Sequence, residues 1–381
     1  MSKEFIIRGG AKGVEKGRIR NFEEFIAFIN NFDSSDDISE AIKYHRIKGD
    51  IRKWLESIGE KEFARRIKPF DTKDGWLYGI AVDILYDNKK DERIKLSNVI
   101  GYDLAKERLM EQVVHPDRIK ALGKKYGRES SGKIILYGPP GCGKSFVARA
   151  IAGETSKLIK KESAGGMLSP GYLSAIVEVA KTLGDIVIYL DEMEALGAHR
   201  EMDHGIRERC TTGGFLTAID SLSERSDIVL IGTTNVPWLL DPALIRSGRF
   251  DDLIYMGIPN LEERIGLFRE YSKKLPLGSV DFKALAEKTN FHSCADIAAI
   301  CKEAASVPWR ESLAGKRQRD VEQADYEAAM SRIGSTSIDW FEGAMSMISR
   351  DDARKRFEPM FNEIERYRAS RKRKVRNDSV L

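Results

Sequence analysis

The sequence predicts an α/β fold: a parallel β-sheet flanked by helices, preceded by a small, mainly helical N-terminal region and followed by further helices. Three observations predict it. Between residues 96 and 258, short apolar runs alternate with stretches of helical spacing, the pattern of strand–helix–strand units. Ile134–Tyr137, Ile186–Leu190 and Ile228–Thr233 are almost continuously apolar, as strands covered on both faces must be. Each run leads into a loop rich in Gly, Pro or Asp, and ligands of such sheets bind at the C-terminal strand ends.

In chain order, residues 1–95 open with a Gly/Lys-rich segment, Arg8–Gly17, that reads as flexible. Phe22, Phe25, Ile26, Phe28 and Ile29 then recur at spacings of three and four, and Ile42, Ile47, Ile51, Trp54, Leu55 and Ile58 continue the pattern, so amphipathic helices are expected. The charged run Asp87–Lys95 reads as a linker into the sheet region. From Pro259, the segments Leu261–Lys274, Phe282–Lys288 and Asp296–Ala305 have helical apolar spacing, and Ile338–Tyr367 reads as a further helical stretch.

At 381 residues the chain has room for two or three cores. Its 42% hydrophobic and 32% charged residues fit an ordinary soluble protein. No apolar run approaches the roughly 20 residues of a membrane span, and the polar N-terminus is unlike a secretory signal. No membrane partner is therefore expected. Four scattered cysteines, Cys142, Cys210, Cys294 and Cys301, form no CxxC pair and read as free thiols of a reducing, cytoplasmic setting. The net charge of +4 says little about partners, but Arg366–Arg376 is densely basic. That run is either a solvated tail or a contact for nucleic acid or another polyanion.

The chemistry begins after Ile134–Tyr137. Gly138-Pro139-Pro140-Gly141-Cys142-Gly143-Lys144-Ser145 matches GxxxxGK[ST] between a predicted strand and a predicted helix that starts at Phe146. Glycines let successive backbone N–H groups turn in around phosphate oxygens, and the helix N-terminus adds its positive dipole end. Residues 138–146 are thus the candidate nucleotide site, with Lys144 placed for the β and γ phosphates and the Ser145 hydroxyl for Mg²⁺. The run Ile186–Leu190 ends in Asp191-Glu192. Carboxylates at the end of a buried strand call for a cation, so Asp191 is a candidate Mg²⁺ partner and Glu192 a candidate for orienting the attacking water. Ile228–Thr233 leads to Asn235, positioned to reach the γ-phosphate or that water.

Together these residues resemble the AAA ATPase family of P-loop NTPases, in particular the branch with the proteasomal regulatory ATPases, katanin and spastin and the cell-division-cycle type ATPases. Val99-Ile100-Gly101, Gly138–Ser145 and Leu190-Asp191-Glu192 carry the resemblance, and most specifically Gly232–Asp251, GTTNVPWLLDPALIRSGRFD, its second region of homology. His292–Ile297 resembles the SGAD element of the helical lid. The resemblance covers about 96–312. It implies an ATPase domain over 96–258 and a helical lid over 259–347; the chain's own pattern makes 348–381 a C-terminal helix and basic tail, and 1–95 a helical module that either recognises a partner in a regulatory role or simply caps the next domain. It implies ATP and Mg²⁺ as cofactors, with Val99, Ile100 and Gly101 lining the adenine and Cys294 and Ala295 lying against the ribose. Asn235 becomes a γ-phosphate sensor. Arg246 and Arg249 become arginine fingers for a neighbouring subunit, which implies a homo-oligomeric ring, expected to be a hexamer acting on a protein client.

Two departures stand out. Cys294 occupies a position where glycine is usual. In place of an aromatic–hydrophobic–glycine pore loop, the chain has Leu168–Leu173, and the connection to Asp191 is shorter by about six residues, a change that surface loops absorb. Tyr172 is either a displaced pore aromatic or the first core-facing residue of the next helix, and the latter is expected. The expected function is ATP-driven remodelling of a protein partner, with two alternatives: a non-threading regulator whose nucleotide state switches an assembly, and a nucleic-acid-associated ATPase.

Overall fold

In a computed structural model of the protein, the structure describes residues 4–9, 14–30, 37–90, 94–114, 125–126, 132–155, 157–163, 171–196, 206–222, 225–246, 248–250, 252–347 and 355–378. The segment read as flexible contributes to an antiparallel pair, β1 (Phe5–Gly9) and β2 (Val14–Ile19). Ile7 and Ile19 are buried there, so the hairpin is anchored by apolar side chains that its Gly/Lys content hides. Five helices follow: α1 (Phe22–Asn30), α2 (Asp37–Ile47), α3 (Asp50–Ser57), α4 (Lys61–Ile67) and α5 (Gly75–Lys90). Phe22, Phe25, Ile26, Trp54 and Leu55 pack inward, as their spacing predicts. The charged run read as a linker is helical as far as Lys90.

After α6 (Asp103–Val114) comes the sheet, with β3 (Lys133–Tyr137), α7 (Lys144–Thr155), β4 (Leu158–Ser163), α8 (Tyr172–Leu183), β5 (Ile186–Asp191), α9 (Ile206–Asp220), β6 (Ile228–Thr234) and β7 (Asp252–Tyr255). Spatial order is β4-β5-β6-β3-β7, and every pair is parallel. The three predicted strands are the three central ones. β4 and β7 escape the apolar-run signal because they are edges, and β4 reads LIKKES. Alternation divides the faces: Ile134, Leu136, Val187 and Tyr189 join one buried cluster, while Ile135, Tyr137, Ile186 and Ile188 join another.

The second cluster is continuous with the N-terminal core. α5 lies along edge strand β4, and the Asn88 side chain satisfies the backbone there. Its Nδ2 donates to the Ile159 carbonyl at 2.8 Å, and its Oδ1 accepts from the Ile159 N–H at 2.8 Å. One amide thus takes the place of a neighbouring strand's peptide group. Lys73 pairs with Glu178 of α8 at 2.9 Å.

The remaining helices are α10 (Leu261–Ser272), α11 (Phe282–Lys288), α12 (Cys294–Leu313), α13 (Gln323–Arg332), α14 (Thr336–Met347) and α15 (Glu358–Asp378). Capping boxes start α10 (Asn260 with Glu263) and α12 (Ser293 with Asp296). The Ile338–Tyr367 stretch is divided between α14 and α15, with 348–354 outside the described residues. α15 returns to the body, where the Glu363 carboxylate accepts from the Tyr255 hydroxyl and, at 3.3 Å, from the Ile258 N–H. Among the described residues, no helix is long and apolar enough to cross a membrane.

Candidate functional site

The loops after β3, β5 and β6 open onto a cavity of about 1130 Å³ between the sheet and the lid, at the large end for a small-molecule site. The phosphate loop forms its floor. At Gly138, with φ +147°, a Cβ would run into the Met256 carbonyl, so only glycine lets β3 turn there. At Gly141 a Cβ would come within 2.7 Å of Ser293 Oγ and 2.9 Å of Ala295 Cβ, because the lid packs directly on the loop. The Ala295 N–H also donates to the Gly141 carbonyl at 3.0 Å.

Lys144 is buried, and its ammonium donates to the carbonyls of Gly138 at 2.9 Å and Pro139 at 2.7 Å. Desolvation lowers its pKa to about 8, against the opposing pull of Cys142, Glu194 and Asp191. Burial penalises the charge, so an anion brought into this cavity meets an ammonium with little competing solvent.

Ser145, Asp191 and Asn235 are brought together by three neighbouring strands. Tyr189 donates to Ser145 Oγ at 2.8 Å, and Thr233 donates to Asp191 Oδ1 at 2.6 Å. Burial raises the Asp191 pKa, but hydrogen bonds from Thr233 and Tyr189 and the Lys161 ammonium at 3.6 Å outweigh it, and the net shift is downward. An ionised carboxylate beside a fixed hydroxyl offers hard oxygen donors, which suit Mg²⁺ held jointly with phosphates. Sequence reading missed Tyr189 and Thr233. Their signal was a polar atom on an apolar strand: Tyr189 stands two residues before Asp191 on β5, and Thr233 lies on the neighbouring β6.

Glu192 is exposed at the cavity edge with φ +57°. A non-glycine residue in the left-handed region costs about 1–3 kcal/mol and is typical of functional turns. Asn235 lines the cavity, and its carbonyl accepts from Trp340 Nε1 of α14 at 2.7 Å.

Val99, Ile100, Tyr102, Leu267, Tyr271, Cys294 and Ala295 line the opposite end. Pro140, Cys142, Gly143 and Phe146 also line the cavity, whereas Gly138 and Pro139 act from behind, through the carbonyls that hold Lys144. Gly101 faces the Glu263 carboxylate and not the cavity. Burial pushes the Cys142 thiol well up and Cys294 to about 11, so both are neutral packing groups.

The two arginines lie outside the cavity of their own chain. Arg246 is exposed. Arg249 forms a two-pronged pair with Asp220, both bonds at 2.8 Å, and donates to the Ala243 carbonyl at 3.0 Å. Buried Lys133 fixes the same turn through the Gly248 carbonyl at 2.7 Å. Tyr172 sits at the start of α8, where its hydroxyl donates to Glu162 at 2.7 Å and its ring stacks on Trp76 of α5 at 6.0 Å. Leu168, Ser169 and Pro170 lie outside the described residues, as do the side chains of the basic run from 371 onward.

Residues 134–258 match the model of the ATPase family associated with various cellular activities (AAA), and 279–323 match the AAA+ lid domain. The proteasome-activating nucleotidase of Archaeoglobus fulgidus is 32% identical over 286 residues, which is 72% of this chain and 69% of that one. The corresponding nucleotidase of Thermococcus onnurineus is 32% identical over 63% of this chain, which spans 61% of its length. The ATP-dependent zinc metalloprotease FtsH 1 of Sorangium cellulosum is 33% identical over 65% of this chain and 41% of its own. Two solved structures share the fold, each at a TM-score of 0.57 and 24% identity over 68% of this chain. One comes from work on katanin self-assembly (96% of that chain), and the other is the FIGL-1 AAA domain in complex with ADP (94%).

Proposed function

The chain belongs to the AAA family of ATPases, and from that premise we propose that it hydrolyses Mg-ATP in a homo-oligomeric, hexameric ring and uses turnover to remodel a protein partner. The supporting observation is the convergence of Lys144, Ser145, Asp191, Glu192 and Asn235 on one cavity from three adjacent strands. In this reading Lys144 and the N–H groups of the phosphate loop hold the β and γ phosphates. Ser145 and Asp191 hold Mg²⁺, which when bound neutralises phosphate charge and orients the γ-phosphate for in-line attack. Glu192 positions the attacking water and draws on its proton, while Asn235 fixes the γ-phosphate side. Val99, Ile100, Cys294 and Ala295 seat the base and ribose.

Arg246 and Arg249 lie outside the lining of their own chain's cavity, which fits donation to a neighbour's site. Charge on the transferring phosphoryl is what a guanidinium stabilises. A cytoplasmic setting is in keeping with three buried thiols that carry no cross-link. The test is Glu192→Gln. Turnover should fall by about a hundredfold or more while ATP is still bound, and native mass measurement in ATP should give a six-fold mass. A single-chain mass with ATP bound would remove the ring.

One observation favours a second reading, the non-threading regulator. Tyr172 is engaged by Trp76 and Glu162, so it is packed against the N-terminal module and is not free to grip a client. Tyr172→Ala would then leave client processing intact and weaken N-terminal docking. Loss of unfolding with normal docking would restore a gripping role.

A further inference from the structure

Tyr102 lies where four elements meet. Its carbonyl accepts from the Lys106 N–H at 2.8 Å, starting α6. Its own N–H donates to Glu263 Oε1 at 3.1 Å, in the first turn of α10. Its hydroxyl donates to the Gly257 carbonyl at 2.9 Å, where the chain leaves β7 for the lid, and lies 3.6 Å from Cys294 Sγ, the first residue of α12. Part of the residue lines the base end of the cavity.

The backbone adds a second, independent observation. Tyr102 has φ +58°, a conformation that a bulky side chain rarely adopts and that persists only where the surroundings over-determine it. Four fixed partners do so here. The preceding segment is tied in as well. Ile100 packs against the lid core, and a Cβ on Gly266 would sit 3.0 Å from it. The same first turn of α12 is bonded to the phosphate loop, from the Ala295 N–H to the Gly141 carbonyl. Any rotation of the lid about residues 257–260 therefore has to move Tyr102 or break its N–H bond to Glu263 and its hydroxyl contact with Cys294.

We propose that Tyr102 is a positioning residue, a latch that fixes the lid against the body at the base end of the cavity and so sets how long a nucleotide is held. Cys294 is the other half of the latch: a thiol at this position fills the space beside the phenol where a glycine would leave a gap. Burial, and after it the neighbouring Cys142 and Cys294 thiols, push the phenol well above its ordinary pKa, so the hydroxyl remains a donor.

The proposal rests on the nucleotide-site reading for its consequence, and its geometry is tested without nucleotide. In full-length Tyr102→Phe, hydrogen exchange at the amides of Ala295 and Asp296 should speed up severalfold in nucleotide-free protein, with the sheet core unchanged. Release of a fluorescent N-methylanthraniloyl ADP should quicken by about five- to tenfold, the factor for one lost hydrogen bond, and KM for ATP should rise by more than kcat falls. Unchanged exchange at the start of α12 overturns the latch. So does a fall in kcat at constant KM, which would place Tyr102 in the chemical step. Faster exchange in a protein whose wild type binds no ADP supports the latch and sinks the nucleotide reading instead. If Tyr102→Phe does not fold, Cys294→Ala removes the opposite contact, and the same faster exchange and release are expected.

Discussion

The two ends of the cavity are built by opposite strategies. At the phosphate end, the groups come from short contiguous motifs, Gly138–Ser145 and Asp191–Glu192, and a parallel sheet brings their strand ends together by topology alone. At the base end, Tyr102, Gly257, Glu263 and Cys294 are separated by up to 192 positions in the chain and meet only because the lid is docked. The first end keeps its shape as long as the sheet is intact. The second holds its shape only in one arrangement of two bodies, so it can change while the strand-end groups stay in place.

The largest effect should come from breaking the claim that the phosphate end is complete. Arg249→Ala is expected to lower turnover by about a thousandfold while binding of ATP persists. Mixing it with Lys144→Ala subunits, which keep their arginines, should restore part of the activity. An Arg249→Ala protein that hydrolyses ATP normally would make the Asp220 pair the residue's whole role.

A smaller effect tests whether the phosphate end is self-contained. Trp340→Phe keeps the ring but loses the donor to the Asn235 carbonyl, a bond worth about 1 kcal/mol. A fall of roughly fivefold in kcat, by that arithmetic, would mean that the lid side steadies the γ-phosphate sensor. An unchanged kcat would leave the two ends independent.

The smallest effect concerns the hinge. Burial raises the Glu363 pKa above its ordinary value of 4.5, although bonds from Tyr255 and Ile258 oppose the shift. A carboxyl raised in the folded state contributes stability that is present below the unfolded pKa and lost as pH rises through the folded one. Docking of α15 should therefore weaken from about pH 4.5 upward. Glu363→Gln, read by Tm at about pH 5 and about pH 8, should flatten this dependence. A slope equal to that of the wild type would assign the effect to other groups.

Legibility in the sequence follows the same division. The three central strands announce themselves because both of their faces are buried, and the phosphate loop because its glycines and lysine are adjacent. The strand pair over Phe5–Ile19 is obscured because glycine and lysine dominate Arg8–Gly17, and the buried Ile7 and Ile19 stand just outside that segment. β4 is obscured because an edge tolerates Lys160, Lys161 and Glu162. Tyr102 is the hardest case. Nothing local marks a tyrosine after Val99-Ile100-Gly101 as strained or bonded, since apart from Lys106 its partners, Gly257, Glu263 and Cys294, lie far along the chain. Tyr172 could be read as far as its helix but not to Trp76, for the same reason.

The amide of Asn88 has one more consequence. An edge strand with free N–H and C=O groups is a template on which any extended chain can add itself. By occupying both groups of Ile159, α5 closes that template on β4. A fragment cut after Lys90 to isolate the ATPase core would lose this cover and present a raw sheet edge to its own copies. The residues up to Lys90 are in this sense a guard for the edge of β4.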